Sequence, residues 1–310
     1  RKRNALTNCM KDVFDNYFSI NGANTLAGNP LHAMVRWIPE AIDHSMLELF
    51  EDHIKAIIEA AENPEPYSPP WMMKDKDGNT PLHLAVLQAA RCSITDYERS
   101  TMVKCIIEFL KFDARSLGCQ NKKKETPLHL LSQVTLSPED MKAIMDAREQ
   151  ITLHIPENGF HWCDEDGLTP VLRAAWRDNF GVVKILCALD GCSSMLIAKE
   201  DGKTVWHLVA EKAPDELAYL NSDLNDLLDS IYGSTQSNPN VISMLYRADN
   251  DGNTPLHVAI EKGNFGFAES LINFITKVGS IDQCSILSIR NKKGVRISDI
   301  IEKVPHLARQ

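Results

Sequence analysis

Eleven residues, Asp75-Lys76-Asp77-Gly78-Asn79-Thr80-Pro81-Leu82-His83-Leu84-Ala85, decide the fold of this chain. Gly78 supplies the positive φ that a tight turn needs. Thr80 is placed to be a helix N-cap, because its hydroxyl can accept from the free backbone N–H groups of a first turn. Pro81 then occupies the first helical position, where its missing N–H costs nothing. The stretch therefore predicts a turn, a cap and a helix start as one unit.

The side chains that follow the cap predict how this helix packs. Leu82 and Ala85 lie three residues apart, so they share one face of the helix and should be buried together. His83 is a polar side chain beside this packed helix start. We therefore expect its imidazole to bond Thr80 or the backbone of a neighbouring loop.

The unit recurs along the chain, and it returns almost unchanged over residues 249–259 as Asp-Asn-Asp-Gly-Asn-Thr-Pro-Leu-His-Val-Ala. The N-cap position marks six copies, at Asn29, Thr80, Thr126, Thr169, Thr204 and Thr254, and a weaker seventh copy covers residues 294–299. The six markers stand 35 to 51 residues apart. Recurrence on this scale indicates a fold built from repeats.

Thr-Pro-Leu-His-x-Ala resembles the signature of the ankyrin-repeat family, whose usual period is about 33 residues. The resemblance covers residues 29 to about 300. It is not uniform, since Lys124 stands where the third copy should have its turn glycine and Val205 stands where the fifth should have proline. Only the step from Thr169 to Thr204 is close to the family length, so most copies carry insertions.

The resemblance implies an all-α fold, an ankyrin-repeat solenoid of about six helix-turn-helix repeats with a degenerate terminal repeat. We expect one solenoid over 1–310, in which 1–28 form an N-terminal cap, 29–290 the repeats with their insertions, and 291–310 a C-terminal cap repeat. A capping helix is predicted over 4–18, from its apolar spacing. Elsewhere we expect an inter-helix loop over 91–99, a short extended piece over 151–155, and Trp206 in the core.

Composition limits the classes of function. The net charge of −9 disfavours a nucleic-acid-binding surface over the whole molecule, which would be basic. No apolar stretch approaches the ~18 residues of a membrane span, and we find no signal peptide. Eight cysteines form no Cys-x-x-Cys pair, which is typical of buried free thiols in a reducing cytoplasm. The nearest approach to a metal site is residues 161–163, so no metal is expected.

Catalytic motifs are missing from the sequence as well. Five of the ten histidines belong to the repeated unit, namely His32, His83, His129, His207 and His257. The others have no motif around them, and neither a nucleophile elbow nor a phosphate loop nor a dinucleotide fingerprint is present. We therefore expect no enzyme activity and no cofactor in this chain.

The family resemblance also implies where a partner would bind, since turn tips and the exposed side of the first helices face a protein partner in ankyrin repeats. The predicted partner-binding residues are Lys76, Lys122 and Lys123 at turn tips, and Arg36, Trp37, Trp176 and Arg177 at positions seven and eight after an N-cap. Tryptophan and arginine are the residues richest in interface hot spots. Alternatively, inserted loops cover both tryptophans, and the run Lys122–Lys124 is a solvated tip or meets an acidic partner. Nucleic acid is disfavoured because no aromatic residue interleaves with these lysines.

The sequence thus predicts a protein–protein interaction module, a monomeric scaffold or adaptor that binds a protein on a concave face in the cytoplasm. An alternative is a targeting domain of a larger enzyme or of a secreted bacterial effector acting in a host cytoplasm. Irregular, insertion-rich repeats of this kind resemble those in the effectors of intracellular pathogens.

Overall fold

A computed structural model describes residues 31–32, 35–36, 70–91, 96–112, 114–152, 159–196, 199–212, 226–229, 243–278 and 287–301. The predicted capping helix over 4–18 and Trp37 lie outside the described residues. The chain divides into two compact units, residues 1–166 and residues 167–310. The prediction of a single solenoid stays a prediction.

In the first unit, short helices follow the second and third copies of the repeated turn. They are α1 (Pro81–Ala89), α2 (Asp96–Phe112), α3 (Pro127–Leu131), α4 (Pro138–Asp146) and α5 (Arg148–Thr152). Helix α1 packs against α2 and α3, while α2 also packs against α4 and α5. First helices therefore lie beside first helices, with the second helices behind them.

The second unit repeats this arrangement. Its helices are α6 (Pro170–Trp176), α7 (Phe180–Asp190), α8 (Val205–Ala210), α9 (Pro255–Lys262), α10 (Phe265–Val278) and α11 (Ile297–Ile301). The first helices form a row in which α6 contacts α8, α8 contacts α9, and α9 contacts α11. Among the residues that the structure describes, one isolated bridge joins Arg290 and Arg296 and no strand forms. The all-α ankyrin-repeat fold is thereby confirmed, while the number of repeats stays a prediction.

The helices begin after the predicted N-caps. A backbone amide donates to the cap hydroxyl at Thr169 and Thr254, at 3.4 Å in both, whereas the Thr80 hydroxyl bonds His83 Nδ1 instead. Threonines 80, 126, 169, 204 and 254 are all N-caps with extended backbone, and all are buried. Leu82 and Ala85 are buried on the shared face of α1. Trp206, at 1% exposure, lies in the core as expected.

His83 makes both of the bonds that its position suggested. Its Nδ1 lies 3.1 Å from the Thr80 amide nitrogen and 2.8 Å from the Thr80 hydroxyl. Because an amide can only donate, Nδ1 must be the acceptor, and the ring proton sits on Nε2. Nε2 then donates to the carbonyl oxygen of Glu125, 3.1 Å away. The imidazole thus caps its own helix and holds the residue that precedes the next helix cap.

Other copies use the same bridge. Nε2 of His32 lies 2.8 Å from the carbonyl oxygen of Asn79. Nε2 of His207 lies 2.9 Å from that of Asn253, and Nε2 of His257 lies 3.2 Å from that of Val295. In His207 and His257 this geometry needs a neutral ring, since a proton on Nδ1 would face the amide of Thr204 or Thr254. Burial favours the same state, because desolvation lowers the pKa of all three and lowers that of His83 to about 4.

The turns are tied together at their tips. The Lys122 amide donates to the Asp77 carbonyl at 3.0 Å, so a Cβ on Gly78 would lie 2.8 Å from that nitrogen. Gly78 also has a φ of +81°, so the position favours glycine for both reasons. The third copy keeps the same turn without glycine, because Lys124 adopts a φ of +57°. The departure seen in the sequence changes the energy of this turn and leaves its shape intact.

Two local predictions were wrong. Residues 96–99 begin α2 and are not part of a loop, because Asp96 and Glu98 place acidic charge in the first turn, where the helix dipole favours it. Ile151 and Thr152 end α5 and are not extended. Ile151 is fully buried, so packing outweighs the strand preference of its β-branched side chain.

The histidine bridges predict a loss of stability in acid. A histidine whose pKa is lower in the folded state stabilises the fold above about pH 6.5, and this contribution is lost as pH falls toward the folded pKa. For His83, falling from pH 7.5 to 5 should cost about 2 kcal/mol of unfolding free energy, measured by urea denaturation at each pH. In His83→Gln, an amide oxygen can still accept from Thr80 without titrating. This control should have a lower unfolding free energy than the native chain at pH 7.5 and should lose less of it on acidification. If its unfolding free energy fell with pH as steeply as that of the native chain, the bridge would be contradicted.

Opposite substitutions at the turn positions 78 and 124 should change the unfolding free energy in opposite directions. Gly78→Ala should lower the unfolding free energy by about 1–3 kcal/mol, because it combines strained φ with a close approach. Lys124→Gly should raise it by about 1 kcal/mol, because glycine removes the cost of a left-handed lysine. Urea denaturation of both variants measures this, and a destabilised Lys124→Gly would show that the lysine side chain contributes to the turn.

Candidate protein-binding surface

The end of helix α6 presents a large aromatic side chain to solvent. Five of the six residues before Trp176 in this helix are buried, whereas Trp176 itself is 49% exposed. Its position, seven residues after the N-cap Thr169, is one that the sequence predicted for a partner. Exposure of so much indole costs hydrophobic free energy in the isolated chain, and a bound partner would recover it.

A lysine from the next repeat holds this indole. Lys212 Nζ lies 5.5 Å from the centroid of the Trp176 ring and also donates to the Trp176 carbonyl oxygen. The same ammonium lies 3.1 Å from Oδ2 of Asp178. Both side chains of this ion pair are largely covered, with exposures of 18% and 24%. Lys212 therefore fixes the backbone and the ring of Trp176 together.

Asp178 occupies a backbone conformation that suits glycine better. Its φ is +60°, and the corresponding residue after α9 is Gly263, with a φ of +77°. Asparagine follows both residues, and Asn179 and Asn264 each cap the next helix through Oδ1 at 3.2 Å. A left-handed aspartate costs about 1 kcal/mol relative to glycine. What this residue contributes in exchange is the carboxylate that binds Lys212.

Arg177, the C-cap of α6, is exposed, and within the described part of the chain no side-chain hydrogen bond or ion pair involves it. Lys203, in the next repeat, already pairs with Glu211 at 2.6 Å and with Asp201 at 3.5 Å. Its hydrogen bond with Glu211 raises the pKa of Lys203. Trp176, Arg177, Asp178 and Lys212 are called the Trp176 cluster below.

Arg36 has a role within the chain. Its guanidinium lies 3.0 Å from Oδ2 of Asp75, whose side chain is fully buried, while Arg36 is 33% exposed on its side chain. Oδ1 of the same carboxylate accepts from the amides of Asp77 and Asn79. Arg36 therefore completes the second turn. Arg36 and Trp176 belong to different units of the chain.

The predicted lysine tips are exposed, as Lys76, Lys122 and Lys123 all face solvent. The backbone bond from Lys122 to Asp77 brings the second and third tips together. A second exposed aromatic residue, Trp162 at 44%, lies in the approach to the fourth turn and was missed from the sequence. Its place two residues before the turn aspartate, Asp164, was a signal that could have found it.

Across the described ranges, no group of three or more His, Cys, Asp or Glu side chains could hold a metal ion. The thiols of Cys105, Cys187 and Cys192 are buried, and a hydrogen bond with Cys192, together with burial, raises the pKa of Cys187. A raised thiol pKa disfavours the nucleophilic thiolate. Of the helices that the structure describes, none has both the length and the apolar character to cross a membrane.

Comparisons with known proteins agree with the fold. A family model described as the ankyrin repeat matches residues 251–282. The chain is 27% identical over 154 residues to inversin from Canis lupus familiaris, a match covering 40% of this chain and 13% of inversin. It is 26% identical over 198 residues to transient receptor potential cation channel subfamily A member 1 from Drosophila melanogaster, covering 63% and 14%. The chain thus spans a small part of the length of the curated relatives it matches.

Among solved structures, the crystal structure of the ankyrin repeat domain of Bcl-3, described as a unique member of the IkappaB protein family, is similar to this chain. The TM-score is 0.54 at 13% identity, and the match covers 89% of this chain and 97% of that domain. At this level of identity, the likeness is one of fold.

The two arginines at predicted partner positions should differ in their effect on stability. Arg36→Met keeps the apolar stem and leaves the buried Asp75 oxygen without its cation, so unfolding free energy should fall by about 1–3 kcal/mol. Arg177→Met, the matched control, removes a charge that makes no ion pair in the described chain and should change stability by less than about 0.5 kcal/mol. Urea denaturation measures both, and equal effects would contradict the structural role of Arg36.

Proposed function

We propose that this chain, which has an ankyrin-repeat fold, binds a protein partner through a surface that includes the Trp176 cluster. Ankyrin repeats are in general protein–protein interaction modules. Each repeat shares its core with its neighbours, so the rows of first helices and turn tips remain available for recognition. The proposal places the partner on the concave face of a single solenoid spanning 1–310.

One observation carries this proposal, namely the half-exposed indole of Trp176, which the exposed Arg177 follows in sequence. Tryptophan and arginine dominate binding energy at interfaces when a partner desolvates them. The lysine tips at Lys76, Lys122 and Lys123 are proposed as a further contact, where an acidic stretch of a partner would lie. Arg36 is left out of the proposed surface because Asp75 already engages it.

We also propose that the segment acts as a scaffold without catalysis. The ankyrin fold is typically a non-enzymatic interaction scaffold. The bridging histidines described above are fully used in helix caps, and burial lowers the pKa of His83 to about 4, which suits a structural acceptor. A monomer in the cytoplasm that does not bind nucleic acid is part of the same proposal.

A second candidate is a targeting segment within a larger enzyme or other larger protein. The lengths of the relatives favour it, because the matched stretches cover 13% and 14% of those proteins. The further idea of a secreted bacterial effector rests on the irregular, insertion-rich repeats alone.

Trp176→Ala tests the proposal. Capture of partner proteins from a cell lysate, read by mass spectrometry, should be abolished, because the substitution removes the exposed anchor. The thermal melt followed by circular dichroism should be nearly unchanged, since the residue is 49% exposed. Trp162→Ala is the matched control, because it removes a tryptophan of similar exposure, 44%, outside the cluster and should leave capture unchanged. A large fall in melting temperature for Trp176→Ala would assign this side chain to the core instead.

A further inference from the structure

We infer that Asp178 and Lys212 preset the Trp176 indole to receive an apolar side chain of the partner, while Arg177 binds a carboxylate next to it. The ligand class is therefore a linear protein segment in which an aromatic or aliphatic residue neighbours Asp or Glu. This inference rests on the proposed function and specifies the chemistry of the partner at the same surface.

The backbone of Asp178 adopts a conformation that its place in the fold does not require a side chain to fill. The same loop after α9 uses Gly263 in the left-handed conformation, so the fold needs no side chain there. Aspartate in that conformation is strained, and its carboxylate Oδ2 contacts Lys212 at 3.1 Å. Strain that persists beside an exposed anchor is the kind that accompanies a binding site. Asp178 thus contributes more to the position of Lys212 than to the stability of the loop.

The Trp176 indole is held in place before a partner binds. Lys212 Nζ lies 5.5 Å from the ring centroid and also donates to the Trp176 carbonyl, so one ammonium contacts both the ring and its backbone. Fixing a side chain on binding costs free energy, and an anchor that is already fixed avoids that cost. The indole nevertheless remains 49% exposed, which leaves apolar surface for a partner to cover.

The charges at the Trp176 cluster leave one cation for a partner. Asp178 pairs with Lys212, so this ammonium is already occupied. Arg177 is exposed and has no ion pair among the residues described. A carboxylate is the complementary group for a free guanidinium. Within the Trp176 cluster, Arg177 could make one phosphate contact, whereas binding of a phosphate backbone depends on several, so a protein segment is favoured over nucleic acid at this cluster.

Selection from a phage-displayed library of random linear peptides tests this inference on the full chain. Phage that bind the bare support are removed first, and the enriched peptides should place an aromatic or aliphatic residue within two positions of Asp or Glu. Affinities of the enriched peptides are then measured by fluorescence anisotropy. Trp176→Ala should weaken binding by about 30-fold or more, and Trp162→Ala should leave it unchanged.

Three further variants separate the role of the Asp178–Lys212 ion pair from that of the Arg177 charge. Asp178→Asn keeps a residue that tolerates the left-handed conformation, and Asp178→Gly removes the strain; both lose the carboxylate and should weaken peptide binding about three- to tenfold. Asp178→Gly should at the same time melt no lower than the native chain. Arg177→Glu should discriminate against acidic peptides and favour versions carrying Lys in place of the acid.

Several results would overturn the inference. These are no enrichment of acidic residues, unchanged affinity in both Asp178 variants, or a single-stranded oligonucleotide that binds through Trp176 more tightly than the peptides. Failure to enrich any peptide would also reject a linear segment. The proposed function would survive each of these if lysate capture still depended on Trp176, and would fail if capture did not.

Discussion

A buried imidazole that bonds at both ring nitrogens holds successive repeats of this protein together. In His83, Nδ1 accepts from the cap of its own helix while Nε2 donates to the carbonyl before the next cap. One side chain therefore caps the start of its own helix, bonds a backbone carbonyl of the next turn and links neighbouring repeats. Burial keeps the ring neutral, and the neutral ring is the only form that fits both contacts. The packing of first helix on first helix follows from these fixed points.

Copies that keep the repeated sequence share the same turn and helix start, and positions that depart from it give this chain side chains that the other copies lack. Lys124 and Asp178 both adopt left-handed backbone where a sister copy has glycine. At Lys124 the tip gains a third consecutive lysine, whereas at Asp178 the loop gains a carboxylate that binds Lys212. The second departure lies beside the exposed Trp176, which is why it bears on recognition more directly than the first.

Sequence alone could predict what depends on neighbours within a few residues. The turn, the threonine cap, the proline and the partners of His83 follow from local chemistry repeated along the chain. Contacts between distant residues could not be predicted in this way: Arg36 meets Asp75 across 39 residues of sequence, and its role in the turn was therefore missed. Packing also outweighed propensity at Ile151, and the exposure of Trp162 depends on how the approach to the fourth turn is covered.

The bridging bonds also explain why the spacing of the copies can vary so widely. Nε2 of His32, His83, His207 and His257 reaches carbonyls that lie 47, 42, 46 and 38 residues further along the chain. The same pair of atoms meets each time, so the length of chain between them is not fixed by the contact. Evolution can therefore lengthen or shorten the intervening segments and graft new sequence there while the register between consecutive units is preserved.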